Sequence, residues 1–252
     1  MSSSKRPKVA VGATREMREL RRRFPRRRWP APNLRGLPRR RRYVAFLDLL
    51  GFGNKVEQDL DGALETYDRI FSRIREMSPR LFRSTTVAIA SDSVLLTSAT
   101  LVEILRACHY IQHFALVENT LVRGEVTHSV HVEARRGQNL YVVSPALVGA
   151  VRLERTIRRP CVALDPAIKV PKSFYPRPGM HPFERLLFFY DNCWVVSPFT
   201  IYWGQSAMTR VAMMMVEHPE HSAKYKWFLG LYQAVTAGEW LVPATSTNRC
   251  GA

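Results

Sequence analysis

Apolar residues recur along most of the chain at the spacings typical of helices and strands. Residues 56–77 carry an apolar side chain every three or four positions, which predicts an amphipathic helix ended by Pro79. Residues 101–117 repeat the pattern and predict a second helix. Four shorter runs are continuously apolar or alternating, which predicts strands. These runs are residues 43–50, 85–90, 94–97 and 120–132.

The second half of the chain continues with shorter elements. Ser144 and Pro145 are typical of the N-cap and first position of a helix, predicted to end near residue 156. The other predicted elements are strands at residues 140–143 and 160–164, a proline-rich loop at 166–182, a hairpin formed by 186–190 and 193–196, and helices at 206–217 and 220–237. The first six elements follow the order β-α-β-β-α-β. The predicted fold class is therefore α+β, a ferredoxin-like core with a C-terminal hairpin and helices.

The positive charge is concentrated at the N-terminus. Residues 1–42 hold 16 Lys and Arg against two acids, so they contribute +14 of the net +17 and leave +3 for the remainder. Prolines separate the arginine clusters, and both features oppose a packed core, so a disordered basic arm is predicted. Such an arm binds polyanions without reading sequence, or is simply a solvated tail.

The chain contains no run of about 18 apolar residues, so no transmembrane helix is predicted. Its N-terminus lacks the apolar region of a secretory signal. The four cysteines are far apart, without a Cys-x-x-Cys pair or a histidine at ligand spacing. Free thiols in a reducing cytoplasm are therefore expected, rather than disulfides or a zinc site.

One residue of the first predicted strand interrupts its apolar sequence. Asp48 lies among apolar neighbours, and a buried carboxylate is costly unless it is paired or bound to a cation. Gly51 and Gly53 follow at once, and such glycines allow a close approach of the backbone to phosphate. The pattern predicts a metal-binding carboxylate beside a phosphate-binding turn. An Asp that only caps its own turn is the alternative.

A second carboxylate, Asp92, lies at the tip of the predicted hairpin between residues 85–90 and 94–97. We expect the first strand to lie beside the strand that enters this hairpin, so that Asp48 and Asp92 face each other. Two such carboxylates repel unless a cation lies between them. Oxygen ligands of this kind suit two Mg²⁺ or Mn²⁺ ions, and such a pair suits displacement at phosphorus.

These residues also carry a family resemblance. Residues 46–52, Phe-Leu-Asp-Leu-Leu-Gly-Phe, resemble the Phe-x-Asp-Ile-x-Gly-Phe signature of class III nucleotidyl cyclase catalytic domains. Asp92 occupies the position of the second metal-binding Asp of that family. Residues 123–126, Arg-Gly-Glu-Val, resemble its Arg-Gly-x-Ile strand, and residues 145–154 resemble its helix ending Ala-x-Arg-Leu-Glu. The resemblance covers roughly half of the chain, about residues 43–165.

The resemblance implies roles for individual residues. Asp48, the Leu49 carbonyl and Asp92 would bind the two metal ions. The N–H groups of Gly51, Phe52 and Gly53 would bind the triphosphate of a nucleoside triphosphate. Arg152 would stabilise the charge that develops on the phosphate. The implied reaction forms a 3′,5′-cyclic nucleotide and pyrophosphate in a homodimer whose active sites are shared between subunits.

The chain departs from the family pattern at three positions. Val148 replaces an asparagine four residues before the helix arginine, and Ser129 and Ser144 replace glycines. Bacterial pyrimidine cyclases that produce antiphage signals are a divergent branch of the family, so cUMP or cCMP is an expected product by analogy. A catalytically degenerate module that binds nucleotides or a partner protein is the alternative. A nucleic-acid-binding protein is a third hypothesis, opposed by the low charge outside the arm.

The expected organisation has three parts. Residues 1–42 form the basic arm, residues 43–200 the cyclase-like domain, and residues 201–252 a helical extension packed on that domain.

Overall fold

The computed structural model describes residues 34–238, except residues 82–83, 137–138, 157–158, 176 and 178. Most of the predicted basic arm and the last 14 residues of the predicted extension therefore lie outside the described residues. The expectation that the arm contacts polyanions falls on that part of the chain.

The helices and strands follow the predicted order. The strands are β1 (Arg40–Leu49), β2 (Thr85–Ala90), β3 (Ser93–Ser98), β4 (Val122–Arg136), β5 (Asn139–Val143), β6 (Val162–Leu164), β7 (Leu187–Tyr190) and β8 (Cys193–Val196). The helices are α1 (Phe52–Gln58), α2 (Leu60–Leu81), α3 (Leu101–Val117), α4 (Pro145–Thr156), α5 (Gly204–Glu217) and α6 (Ser222–Ala237). Each helix in the described part of the chain is too short or too polar to span a membrane.

The strands form one mixed sheet in the order β2-β3-β1-β4-β6-β8-β7, with β5 paired to β4 outside this path. The pairings among the first four strands are all antiparallel, and the order of these strands is that of a ferredoxin-like β-α-β-β-α-β unit. The predicted α+β class is thus confirmed. The prediction that β1 lies beside β2, the strand that enters the hairpin, was wrong. Strand β3, which leaves the hairpin, lies between β1 and β2.

Helices cover both faces of the sheet. Leu47, Leu49, Val122 and Val126 point to one face and belong to a buried core shared with α2 and α3. Alternate strand residues point to the opposite face, where α4 packs. The hydroxyl of Thr127 donates to the Ala146 carbonyl of α4 at 2.7 Å. Asp48, which alternates with Leu47 and Leu49, therefore points to the α4 side.

A second buried cluster joins the C-terminal helices to the far strands of the sheet. It includes Phe188 of β7, Val195 of β8, Phe199 of the segment before α5, Val211 of α5 and Phe228 of α6. At the β7–β8 turn, Asp191 and Asn192 both have positive φ, as a tight two-residue hairpin requires. The extension predicted at residues 201–252 therefore contributes its described helices to a shared core.

Several element boundaries differ from the prediction; the helix predicted to end at Pro79, for example, continues to Leu81. Strand β1 begins at Arg40, because residues 40–42 continue its pairing with the long strand β4, so the predicted arm boundary at residue 42 falls inside a strand. The helix predicted at 56–77 is divided at Asp59, whose carboxylate accepts a hydrogen bond from the Gly62 N–H at 3.0 Å. Asp59 thus caps the second helix as an N-cap residue.

Gly124 of β4 lies unusually close to β1. A Cβ atom at this position would lie 2.5 Å from the Phe46 carbonyl oxygen and 3.0 Å from the Leu47 Cα. Gly149 of α4 offers a matched control, because a Cβ there would meet its nearest atom at an ordinary 3.6 Å.

We expect Gly124→Ala to destabilise the fold by about 1–3 kcal/mol, because the two backbones would have to separate. Gly149→Ala should be neutral or stabilise by up to about 1 kcal/mol, since alanine favours helix. Urea unfolding measures both values. Equal stability of the two variants would contradict the close approach of β1 and β4.

Candidate functional site

Several residues of the site predicted from the sequence lie at the C-terminal end of β1. Two backbone hydrogen bonds hold this end: the Leu49 N–H donates to the Asp92 carbonyl and the Leu50 N–H to the Leu121 carbonyl, each at 2.9 Å. Gly51 follows with φ of +78°, a left-handed conformation that favours glycine. The chain therefore turns sharply from β1 into α1 directly after Asp48.

The structure brings Asp92 to this turn. Asp92 lies in the two-residue connection between β2 and β3, where Ser91 has φ of +56°. Its Oδ2 is 3.9 Å from the position that a Cβ at Gly53 would occupy. Asp48 pairs in register with Ser93, the residue after Asp92. The backbone segments that carry Asp48, Asp92 and the glycine turn are therefore adjacent, although β3 rather than β2 is the neighbouring strand.

The Asp48 carboxylate has a protein counter-ion that the sequence analysis did not assign. Arg123 is directly opposite Asp48 in the β1–β4 register, and its Nη2 donates to Asp48 Oδ2 at 2.9 Å. The same Nη2 lies 2.6 Å from Oε1 of Glu154 on α4. The side chains of Asp48, Arg123 and Glu154 are 20%, 28% and 8% exposed, respectively. Arg123 therefore links the strand carboxylate to the helix that covers this face.

The electrostatics of Asp48 favour an additional cation. Burial raises the pKa of the Asp48 carboxyl above its ordinary value, Arg123 opposes this increase, and the nearby Asp92 charge adds to it. Lys224 of α6 also lowers the pKa of Asp48 through its charge. Ionisation of Asp48 is thus disfavoured overall, and a divalent cation between the two carboxylates would reverse this effect.

The donor set suits Mg²⁺ or Mn²⁺ with an incomplete protein shell. Among the described residues, no group of three or more His, Cys, Asp and Glu side chains is arranged around a common metal position. Mg²⁺ is commonly bound through one or two carboxylates together with waters and substrate phosphates. Asp48, Asp92 and the Leu49 carbonyl are oxygen donors of that kind, so the residues present fit a substrate-completed metal site.

The glycine turn presents backbone donors beside the carboxylates. Phe52 and Gly53 begin α1, and the first N–H groups of a helix have no acceptor within the helix. The Phe52 side chain is buried against Tyr67, with ring centroids 5.9 Å apart, which fixes the turn to the core. Gly51 and Gly53 are exposed, so the turn is accessible from solvent.

The structure does not bring Arg152 to the carboxylates of its own chain. Glu154 is buried on α4, whereas Arg152 is exposed and Val148, one turn earlier, is 51% exposed. The charges with the largest effects on Asp48 come from Arg123, Asp92 and Lys224, and Arg152 is not one of them. Helix α4, which carries Arg152, begins as predicted, because Ser144 Oγ accepts a hydrogen bond from the Leu147 N–H at 3.1 Å.

Two contributions to the site were missed from the sequence. The alternation of Arg123, Glu125 and Thr127 in an otherwise apolar strand was a signal that these side chains share one face. Lys224 could not be placed near Asp48 from the sequence, because it lies 176 positions later and its charge acts on Asp48 only through the packing of α6.

Comparisons with known proteins give only structural similarities. No family model matches the chain, and no curated protein matches it either. Among solved structures, the guanylyl cyclase Cya2 is 15% identical, with 51% of this chain and 76% of that chain covered and a TM-score of 0.42. A mutant guanylyl cyclase domain of the RhoGC fusion protein from Blastocladiella emersonii is 14% identical, with 63% and 96% covered and a TM-score of 0.44.

A third similar structure is a class III adenylyl cyclase-like ATP-binding protein from Pseudomonas aeruginosa. It is 12% identical, with 77% of this chain and 48% of that chain covered, and the TM-score is 0.44. The solved neighbours are thus class III cyclase domains at low identity.

Proposed function

We propose that this protein is a nucleotidyl cyclase that converts a nucleoside triphosphate into a 3′,5′-cyclic nucleotide and pyrophosphate. The observation that carries the proposal is the meeting of Asp48 and Asp92 beside the exposed turn at Gly51 and Gly53. A purely structural site has no need of two neighbouring carboxylates, one of them with a raised pKa.

In this proposal, Asp48, Asp92 and the Leu49 carbonyl hold two Mg²⁺ or Mn²⁺ ions. Such ions, when bound, lower the pKa of the ribose 3′-hydroxyl and offset charge on the phosphates. The N–H groups of Gly51, Phe52 and Gly53 bind phosphate oxygens at the start of α1. Arg123 engages one oxygen of Asp48, so it would orient the carboxylate and leave the other oxygen for a metal ion.

The reaction is an intramolecular substitution at phosphorus. The ribose 3′-oxygen attacks the α-phosphate, the bond from that phosphorus to the β-bridging oxygen breaks, and pyrophosphate leaves. Arg152 stabilises the charge that develops on the phosphate. Because Arg152 lies on an outward position of α4, we propose that it acts on substrate held by the second subunit of a homodimer.

We propose a pyrimidine nucleotide as substrate, which gives cUMP or cCMP as an antiphage signal, on the resemblance to the divergent bacterial branch alone. A cytoplasmic location is proposed on the buried free thiol of Cys108. The second candidate function is a nucleotide-binding module without turnover. Val148 favours it, since this exposed position of α4 carries an asparagine in the family that the chain resembles.

Incubation with each of the four nucleoside triphosphates and Mn²⁺ tests the proposal, with products identified by mass spectrometry. We expect one nucleotide to give a cyclic nucleotide and pyrophosphate in equal amounts. A triphosphate that binds without turnover would instead support the binding module.

A further inference from the structure

A cavity of about 490 Å³ lies beside the glycine turn, between the cyclase-like core and the C-terminal helices. Its lining includes Gly51, Phe52 and Lys55 from the turn and α1. Arg210 of α5 and Lys224 of α6 line it from the extension. The volume is within the range of small-molecule sites, roughly 300–1,000 Å³. The cavity is therefore large enough for a ligand and includes residues from both parts of the chain.

Three cations in this lining have only neutral hydrogen-bond partners or none. Lys55 Nζ donates to the Thr66 hydroxyl at 2.6 Å. Arg210 Nη1 donates to the Val117 carbonyl at 2.7 Å and to Asn119 Oδ1 at 2.9 Å. Lys224 forms no hydrogen bond or ion pair within the described residues. These cations are therefore available to an anionic ligand.

The lining also contains acidic residues, most of which have partners of their own. Glu118 lies 2.8 Å from Arg69 and 3.6 Å from Arg73. Glu220 lies 3.6 Å from His218. Asp59 accepts the Gly62 N–H, as described for the cap of α2. The remaining acid is Glu217. Burial chiefly raises the pKa of Tyr225, and the negative charges of Glu220 and Glu217 raise it further.

The cavity is electrostatically connected to the proposed metal site. Lys224 lines the cavity, and its charge also acts on Asp48. Asp48 and Asp92 are not part of the lining, whereas Gly51 and Phe52, between the two regions, are. A triphosphate with its α-phosphate at Asp48 could reach the cavity only by extending past the turn, along Gly51 and Phe52.

We propose that this cavity binds the outer phosphates of the substrate, with Lys224 of the C-terminal extension and Lys55 of α1 as their ligands. The inference rests on the proposed function and assigns the extension a role in substrate binding. Lysine binds phosphate as a compact point charge with three donors, which suits the mobile end of a polyphosphate.

Calorimetric binding of inorganic tripolyphosphate to the full chain, without added metal and at fixed salt, tests this inference independently of turnover. Lys224→Ala is expected to weaken binding about 10- to 100-fold, the effect of removing a charged hydrogen-bond donor. Lys224→Arg should retain most of the affinity. Lys224→Gln keeps the side-chain stem and should behave like Lys224→Ala. Lys226→Ala is the matched control, since Lys226 is exposed on the same helix outside the lining.

The inference is overturned if wild type does not bind tripolyphosphate, or if Lys224→Ala and Lys224→Gln bind it as tightly as wild type. Tripolyphosphate binding that depends on Lys224, without cyclic nucleotide formation, supports the phosphate site and contradicts the cyclase proposal. Turnover with the same KM in wild type and Lys224→Ala supports the cyclase and overturns the phosphate site.

Discussion

Replacing Asp48 or Asp92 with Asn is expected to remove nucleotide turnover and to leave the metal-free protein folded. A divalent cation contributes several kcal/mol to stabilising charge at phosphorus, and a loss of about 4 kcal/mol corresponds to roughly a 10³-fold lower rate. Asp68→Asn is the matched control, because that carboxylate lies exposed on α2 and pairs only with surface residues.

Thermal unfolding with and without Mn²⁺ provides a second readout for these variants. At a Mn²⁺ concentration 100 times the Kd, the free energy of unfolding of the wild type should increase by about 2.7 kcal/mol. Neither Asp variant should show a comparable increase. An unchanged gain in Asp48→Asn or Asp92→Asn would place the metal elsewhere. Unfolding of the variants in the absence of metal would mean that the carboxylates are structural.

The pH dependence of stability follows from the raised pKa of Asp48. A carboxyl whose folded-state pKa exceeds its unfolded value contributes stability below the unfolded pKa, and this contribution is lost as pH rises through the folded pKa. Without metal, the free energy of unfolding of Asp48→Asn should therefore increase relative to that of the wild type as pH rises through the folded-state pKa of Asp48. The difference is measured by urea unfolding across the acid range.

The second large effect concerns the sharing of sites between subunits. Arg152→Ala and Asp48→Asn should each be inactive, and a mixture of the two should regain activity after dissociation and reassociation. With random pairing, about half of the dimers are heterodimers with one intact composite site each, so recovery should approach about a quarter of the wild-type sites. This expectation rests on the proposed homodimer, in which the exposed Arg152 of one subunit acts on substrate held by the other.

A mixture of wild type with the double variant Arg152→Ala/Asp48→Asn provides the control. If sites are shared, heterodimers are inactive and about a quarter of all sites remain active, whereas unshared sites would leave about a half. Absence of recovery in the first mixture, with heterodimers demonstrated, would mean that each site is built within one chain or that Arg152 has another role.

Local patterns predicted much of the fold, because the residues that determine it are close in sequence. Helix α3 has the predicted bounds at residues 101–117, and Ser144 caps α4 as its sequence indicated. The division at Asp59 was missed, because its capping bond to Gly62 interrupts a continuous apolar repeat. The neighbour of β1 was mispredicted, although the predicted ferredoxin-like order already places β3 between β1 and β2.

The candidate site was predictable only in part, for a similar reason. Asp48 was conspicuous as a carboxylate in an apolar strand, and Asp92 as a carboxylate at a hairpin tip. The ion pairs of Arg123 with Asp48 and Glu154, and the effect of the Lys224 charge on Asp48, join residues far apart along the chain and arise only from tertiary packing.

In the proposed reaction, the ribose 3′-oxygen, rather than water, attacks the α-phosphate. Running the reaction in water enriched in oxygen-18 and weighing the nucleotide product tests this directly. We predict a product one water lighter than the monophosphate and free of the heavy isotope, formed by wild type and absent with Asp48→Asn. A nucleoside monophosphate, with the heavy isotope in it or in the released pyrophosphate, would show hydrolysis and contradict the cyclase assignment.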